Sequence, residues 1–142
     1  MTTQETDSSG KLPHEPGSKL DHGKVRPGLV LGDFTNALYE VSRVGTRGAE
    51  KYTEHGWLSV DRGVDRYSDA MFRHLMAAQR GEKYDSSPGG TGCLHLAQVA
   101  WNALAVLELV LRSSPESLRE APVAGANATI TATADAEHEA PF

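Results

Sequence analysis

Apolar positions along this chain change their rhythm three times, and each change marks an element. From 35 to 45, Ala37, Leu38, Val41 and Val44 recur at steps of three and four, the spacing of one helical face. Asp33 or Thr35 stands where a helix cap is wanted, and Gly45 and Gly48 are expected to end or break the helix. GAEKYTEHGW continues as a short helical or irregular piece to Trp57. A second helix is predicted over 64–80, with Ser68, Met71, Phe72, Leu75 and Ala78 as its buried stripe and Gly81 as its stop. EKYDSSPGGTG reads as a loop, because Pro88, Gly89, Gly90 and Gly92 all disfavour helix. A third helix is predicted over 94–111 and is apolar on nearly every side. His95, Gln98 and Asn102 interrupt it, and their spacing puts all three on one stripe. An unpaired buried polar group costs roughly 1–3 kcal/mol, so the stripe implies shared partners. Those partners are either neighbouring helices or a bound polar ligand. No internal repeat and no sustained β-alternation compete, so the predicted class is all-α, an antiparallel helical bundle completed by oligomerisation.

Composition narrows the folded part. The chain has 142 residues, 39% of them hydrophobic, and the apolar ones are unevenly spread. Residues 1–27 and 113–142 are rich in small and polar types and too poor in apolar anchors to offset chain entropy. They are expected to be a flexible N-terminal segment and a disordered tail around a domain at 28–112. So few residues make a small core, which favours a homo-oligomer. A net charge of −5 argues against a direct nucleic-acid groove. The single Cys93 excludes an internal disulfide and a cysteine-based zinc site. With no apolar signal core and polar residues inside the most apolar helix, no membrane span is expected and a cytoplasmic protein is.

Several side chains carry candidate chemistry. Glu40 lies among Ala37, Val41 and Val44, where a carboxylate needs a metal ion or an arginine partner. Asp69 flanks the second helix one turn from Asp65 and from Arg73, so it is either one of a solvated charge series or a second metal carboxylate. His74 lies on the other flank of the same stripe. Glu82 and Asp85 are spaced to share a face and grip a hard cation if the turn stays helical. Glu50 and Glu54 read as solvated surface. Lys24, Arg26, Lys51 and Arg73 are candidate phosphate contacts or ordinary surface charge. Tyr52, Trp57 and Trp101 can stack on a base or fill the core, and Trp101 is assigned to the core.

Four stretches, KLDHGKVRPGLV, ALYEVSRVGTRGAEKYTEHGW, RYSDAMFRHLMAAQRGEKYD and HLAQVAWNALAVLEL, occur here in order. Together they resemble the phage dATP/dGTP diphosphohydrolase domain, a MazG-like branch of the all-α nucleoside triphosphate pyrophosphohydrolases. The likeness covers about residues 19–111. It falls on Asp21, Gly23, Lys24, Arg26, Glu40, Lys51, Tyr52, Trp57, Asp69, Arg73, His74, Glu82, Asp85 and His95. Gly56 stands where the family has Asn before Trp, SSPGGTG replaces a shorter acidic turn, and Gln98 replaces a second His. The full MazG pattern of E-x-x-E and E-x-x-D is not present.

The resemblance implies that Glu40, Asp69, Glu82 and Asp85 are catalytic and hold two or three Mg²⁺ or Mn²⁺ ions. It implies substrate contacts from Lys24, Arg26, Lys51, Trp57, Arg73, His74 and His95, and in that picture the polar stripe adds Gln98 and Asn102 as readers of the base or sugar. The implied reaction splits dGTP or dATP into the monophosphate and pyrophosphate, in a homotetramer in the host cytoplasm. A related use is supply of deoxyguanylate to phage 2-aminoadenine synthesis. The alternative is a non-catalytic helical interaction or regulatory protein, in which the polar stripe only fixes helix register.

Overall fold

The structure, a computed structural model, describes residues 5–114. The tail predicted at 113–142 therefore lies outside the described residues from 115 onward. Within them the chain divides into two units, with the boundary in sequence between Val25 and Arg26.

In the first unit, the turns of residues 5–19 are gathered by Asp7. Its Oδ1 accepts from the Ser9 amide (2.8 Å), the Ser9 hydroxyl (2.9 Å) and the Lys11 amide (2.9 Å). Its Oδ2 accepts from the Lys19 amide at 3.3 Å. The hydrogen bond from the Lys11 amide does most to hold the Asp7 carboxyl below its usual range, against a smaller opposing effect of burial.

The second unit is all-α, as the periodicity predicts. Its order is α1 (Gly28–Leu31), α2 (Thr35–Lys51), a 3₁₀ turn (Gly56–Ser59), α3 (Gly63–Gln79) and α4 (His95–Ser113). No strand forms among the described residues; one isolated antiparallel bridge pairs Tyr84 with Leu94. The main interface joins α3 to α4, and a smaller one joins α2 to α4. These helices pack through small side chains: the buried apolar residues are Val44, Ala77, Cys93, Ala97 and Ala105. Gly63 opens α3 hard against Leu109 of α4, where a Cβ would come within 2.8 Å of Leu109 Cδ1.

Three expectations are corrected. The first helix does not stop at Gly45 or Gly48 but runs to Lys51. A helical glycine costs roughly 1 kcal/mol against alanine. Gly45 offsets part of this by letting α4 approach, since a Cβ there would lie 3.3 Å from Trp101 Nε1. Neither Asp33 nor Thr35 caps α2. Phe34 occupies that position, and the Thr35 hydroxyl donates backward to the Gly32 carbonyl at 2.9 Å. The buried stripe of α3 is also displaced. Of the predicted positions, Ser68, Met71 and Ala78 lie on the less exposed face, joined by Tyr67, Ala70, His74 and Ala77, whereas Phe72 and Leu75 are 54% and 38% exposed. The facing side of α4 begins with buried His95, which selects a small and polar companion surface over a bulky one.

Candidate functional site

A cleft of about 1090 Å³ opens among α2, α3, α4, the 3₁₀ turn and the loop before α4. That lies just above the roughly 300–1,000 Å³ usual for small-molecule sites. Gln98, Trp101 and Asn102 line it from one face of α4. Trp57 and Tyr67 complete an aromatic wall with Trp101. The Trp57–Trp101 and Tyr67–Trp101 ring centroids are 5.7 Å apart and the Trp57–Tyr67 centroids 6.4 Å, all edge to face. The 3₁₀ turn carrying Trp57 is bracketed by His55 (φ 60°) and Arg62 (φ 49°), both left-handed. Non-glycine residues rarely hold that conformation, so the turn is set by its surroundings. The Tyr67 hydroxyl donates to the Trp57 carbonyl at 3.3 Å. Burial pushes its phenol up; Arg66 opposes this and Tyr52 adds to it.

Asp85 organises the far rim. Its Oδ1 accepts from the Ser87 hydroxyl at 3.1 Å. Its Oδ2 accepts from the Thr91 amide (3.0 Å), the Thr91 hydroxyl (3.4 Å) and Gln98 Nε2 (3.3 Å). Burial tends to raise the Asp85 pKa. The Thr91 amide, Gln98, Ser87 and nearby His74 outweigh it and hold the carboxyl below its usual range. The loop folds so closely that a Cβ at Gly90 would meet the Asp85 carbonyl and carboxylate oxygens at 2.5 Å. Lys51 ties this loop to the end of α2, its Nζ donating to the Gly89 carbonyl at 2.9 Å.

At the cleft's α3 side, His74 Nδ1 and His95 Nδ1 meet at 3.0 Å. Burial lowers the His74 pKa most; Asp85 raises it, while His95 and Arg73 lower it further. His95 Nε2 is buried and makes no hydrogen bond among the described residues; Glu82 Oε2 is 3.9 Å away.

Nine residues singled out from the sequence line the cleft, Lys51, Tyr52, Trp57, Asp69, Arg73, His74, Asp85, Gln98 and Asn102. Trp101, assigned to the core, both packs on the Val44–Cys93–Ala97 cluster and lines the cleft. Other expected contributors sit elsewhere. Lys24 is an exposed residue of the first unit, and Arg26 begins the second without lining the cleft. His95 lies behind His74 rather than at the surface of the cleft.

The four carboxylates do not converge within one chain. Glu40 is paired with Arg43 at 3.2 Å and Glu82 with Arg80 at 3.0 Å, and neither lines the cleft. The oxygens of Asp85 are occupied by four donors. Among the described residues, no group of three His, Cys, Asp or Glu side chains gathers as an ion cage. Only Asp69 and Glu54 remain in the cleft as carboxylates with no hydrogen bond or ion pair among the described residues. By donor chemistry, unpaired carboxylate oxygens are the type that a hard cation takes.

The sequence reading assigned Glu54 to solvated surface, and it missed Arg47 and Arg66, which join Lys51 and Arg73 as the cationic lining. Nothing in their spacing distinguishes them from solvated charge. Arg47 is paired with Glu50 at 2.8 Å, as an ordinary surface arginine would be.

The family described as dATP/dGTP diphosphohydrolase, N-terminal, matches residues 14–119. The dATP/dGTP diphosphohydrolase of Salmonella phage PMBT28 is 31% identical over 101 residues, which cover 71% of this chain and 32% of that protein. The chain thus spans about a third of the length of that relative. No solved structure matches.

Proposed function

The chain belongs to the dATP/dGTP diphosphohydrolase N-terminal family, and from that premise we propose that it hydrolyses a purine deoxynucleoside triphosphate to the monophosphate and pyrophosphate. One observation carries this reading. In a chain of net charge −5, the cleft gathers four cationic side chains, Arg47, Lys51, Arg66 and Arg73. They share it with both tryptophans and two buried amides, so the cleft offers cations to a polyanion and flat aromatic and amide groups to a planar polar ring.

In the proposed reaction, water attacks the α-phosphorus, the bond to the β-bridging oxygen breaks, and pyrophosphate departs. Arg73, Arg66 and Lys51 stabilise the charge that builds on the phosphate oxygens. The Lys51 contact with the Gly89 carbonyl is exchangeable for a phosphate oxygen, a stronger, charge-assisted partner. Asp69 takes the proton released by the attacking water. Asp69 and Glu54, the carboxylates of the cleft unpaired among the described residues, would hold Mg²⁺ or Mn²⁺ beside the phosphates. Such an ion supplies charge neutralisation and a water of lowered pKa.

We place the working form as a homo-oligomer, a tetramer, on the support of its uncovered apolar side chains, and its site of action in the host cytoplasm. Deoxyguanylate made there could feed 2-aminoadenine nucleotide synthesis. Incubation with each deoxynucleoside triphosphate and Mn²⁺ or Mg²⁺ tests the reaction. Pyrophosphate release that disappears in Asp69→Ala and Arg73→Ala supports it. No turnover with either ion supports the non-catalytic interaction protein, and release of single phosphates or of triphosphate identifies a different hydrolase.

A further inference from the structure

Resting on that reading, we propose that Gln98 and Asn102 select the base by presenting it with two hydrogen-bond acceptors and therefore favour guanine. An amide side chain can face either way, so its partners must decide. Gln98 Nε2 lies 3.3 Å from Asp85 Oδ2. An ionised carboxylate only accepts, so Gln98 must turn its NH₂ toward it. Asn102 Nδ2 lies 2.7 Å from the backbone carbonyl of Gln98. That oxygen also only accepts, so Asn102 is fixed in the same sense. Reversing either amide would set oxygen against oxygen.

Gln98 Oε1 and Asn102 Oδ1 are thereby left over. Neither makes a hydrogen bond among the described residues, although Gln98 is 4% exposed and Asn102 6%. Both residues line the cleft, one helical turn apart, with Cβ atoms roughly 5–6 Å from each other. Trp101 lies on the same face, its ring 5.7 Å from that of Trp57. The proposal seats a planar base along that wall with its edge toward the two oxygens.

Base edges differ in what they can offer two acceptors. Guanine presents adjacent donors, its ring N1–H and its 2-amino group. Adenine presents one amine beside a ring nitrogen whose lone pair would face an acceptor oxygen. Hypoxanthine keeps the ring N–H and lacks the amine. Cytosine has one donor beside an acceptor, and thymine one donor between two acceptors. A site built on hydrogen bonds discriminates strongly against a ligand that leaves its buried groups unmet.

The test uses the full chain and the emission of Trp57 and Trp101, the only two tryptophans. Titration with dGMP, dIMP and dAMP in Mg²⁺ is expected to give binding at least about tenfold tighter for dGMP than for the other two, one lost buried hydrogen bond being worth that factor. Gln98→Met and Asn102→Leu are expected to bring dGMP within about threefold of dIMP while dAMP changes little, since the lost acceptor served the guanine donors. Equal binding of dGMP and dAMP, or discrimination that survives both substitutions, overturns the proposal. If either variant unfolds, dGMP against dIMP on the unaltered protein removes the same contact from the ligand side and still decides. Pyrophosphate release without base preference overturns only this selectivity. Absence of both binding and turnover overturns the nucleotide reading with it.

Discussion

The imidazoles of His74 and His95 meet Nδ1 to Nδ1 at 3.0 Å across the α3–α4 interface, so one donates and the other accepts. Burial does most to lower the His74 pKa, and the neighbouring His95 and Arg73 add to it against the pull of Asp85. A folded-state pKa below the unfolded value near 6.5 means the unfolded chain binds the extra proton first. Stability from this group is thus complete above about pH 6.5 and is lost as pH falls through the folded value. Thermal melting midpoints should fall between pH 7.5 and 5.5, and less so in His74→Gln. Equal slopes in the two proteins would remove His74 from this role. Asp85, also lowered, adds a loss of the same sign below about pH 4.

Asp85 was expected to hold a metal ion, yet its carboxylate ties Ser87, Thr91 and Gln98 into the rim of the cleft. Asp85→Asn should turn one acceptor into a donor facing donors. Leaving such groups unmet costs roughly 1–3 kcal/mol, and in a domain this small each kcal/mol lowers the melting midpoint by about 4–8 °C. Hydrogen exchange at the Thr91 amide should quicken in parallel. Wild-type melting combined with lost turnover would instead return Asp85 to ion binding.

The elements were legible because helical spacing is a local property. All three principal helices, the loop before α4 and the polar stripe of α4 follow from residue spacing, glycine and proline alone. Facing was less legible. Phe72 and Leu75 satisfy the period of α3 as well as Ala70 and His74 do, and only the partner helix decides between them. The same holds for the cleft. Gln98 and Asn102 stand out as polar residues on an apolar helix, whereas Arg47, Arg66 and Glu54 look like any solvated charge until three elements meet. Glu40 illustrates the converse: its place beside an apolar stripe suggests a metal, and the structure supplies Arg43 one turn away.

Two glycine substitutions should act in opposite directions. Gly48 lies inside α2 with helical backbone and nothing within 4 Å of a would-be Cβ. Gly48→Ala should therefore stabilise the protein by about 0.5–1 kcal/mol through reduced unfolded-chain freedom and better helix propensity. Gly90 has no such room, since an added Cβ meets Asp85 backbone and carboxylate oxygens at 2.5 Å. Gly90→Ala should lower the melting midpoint and loosen the rim. Denaturant titration of both variants checks the pair, and a destabilised Gly48→Ala would sink the helix argument.

The uncovered side of the α3–α4 pair makes the last prediction. Phe72 and Met76 on α3 are 54% and 59% exposed, and Leu96, Leu104 and Leu107 on α4 are 64%, 51% and 55% exposed. Among the described residues no large side chain is fully buried. Fully burying one large apolar side chain contributes roughly 1.5–3 kcal/mol, so these residues represent more driving force than the small core supplies. Their helical spacing makes a continuous stripe on α4, suited to a second copy of the same helices. Light scattering should give the mass of four chains for the unaltered protein. Leu107→Glu would place an unpaired carboxylate in such an interface, which is strongly unfavourable, and should shift the mass toward one chain without removing α4. A monomer in the unaltered protein, or a Leu107→Glu variant that assembles as before, would show that these side chains do not face another copy.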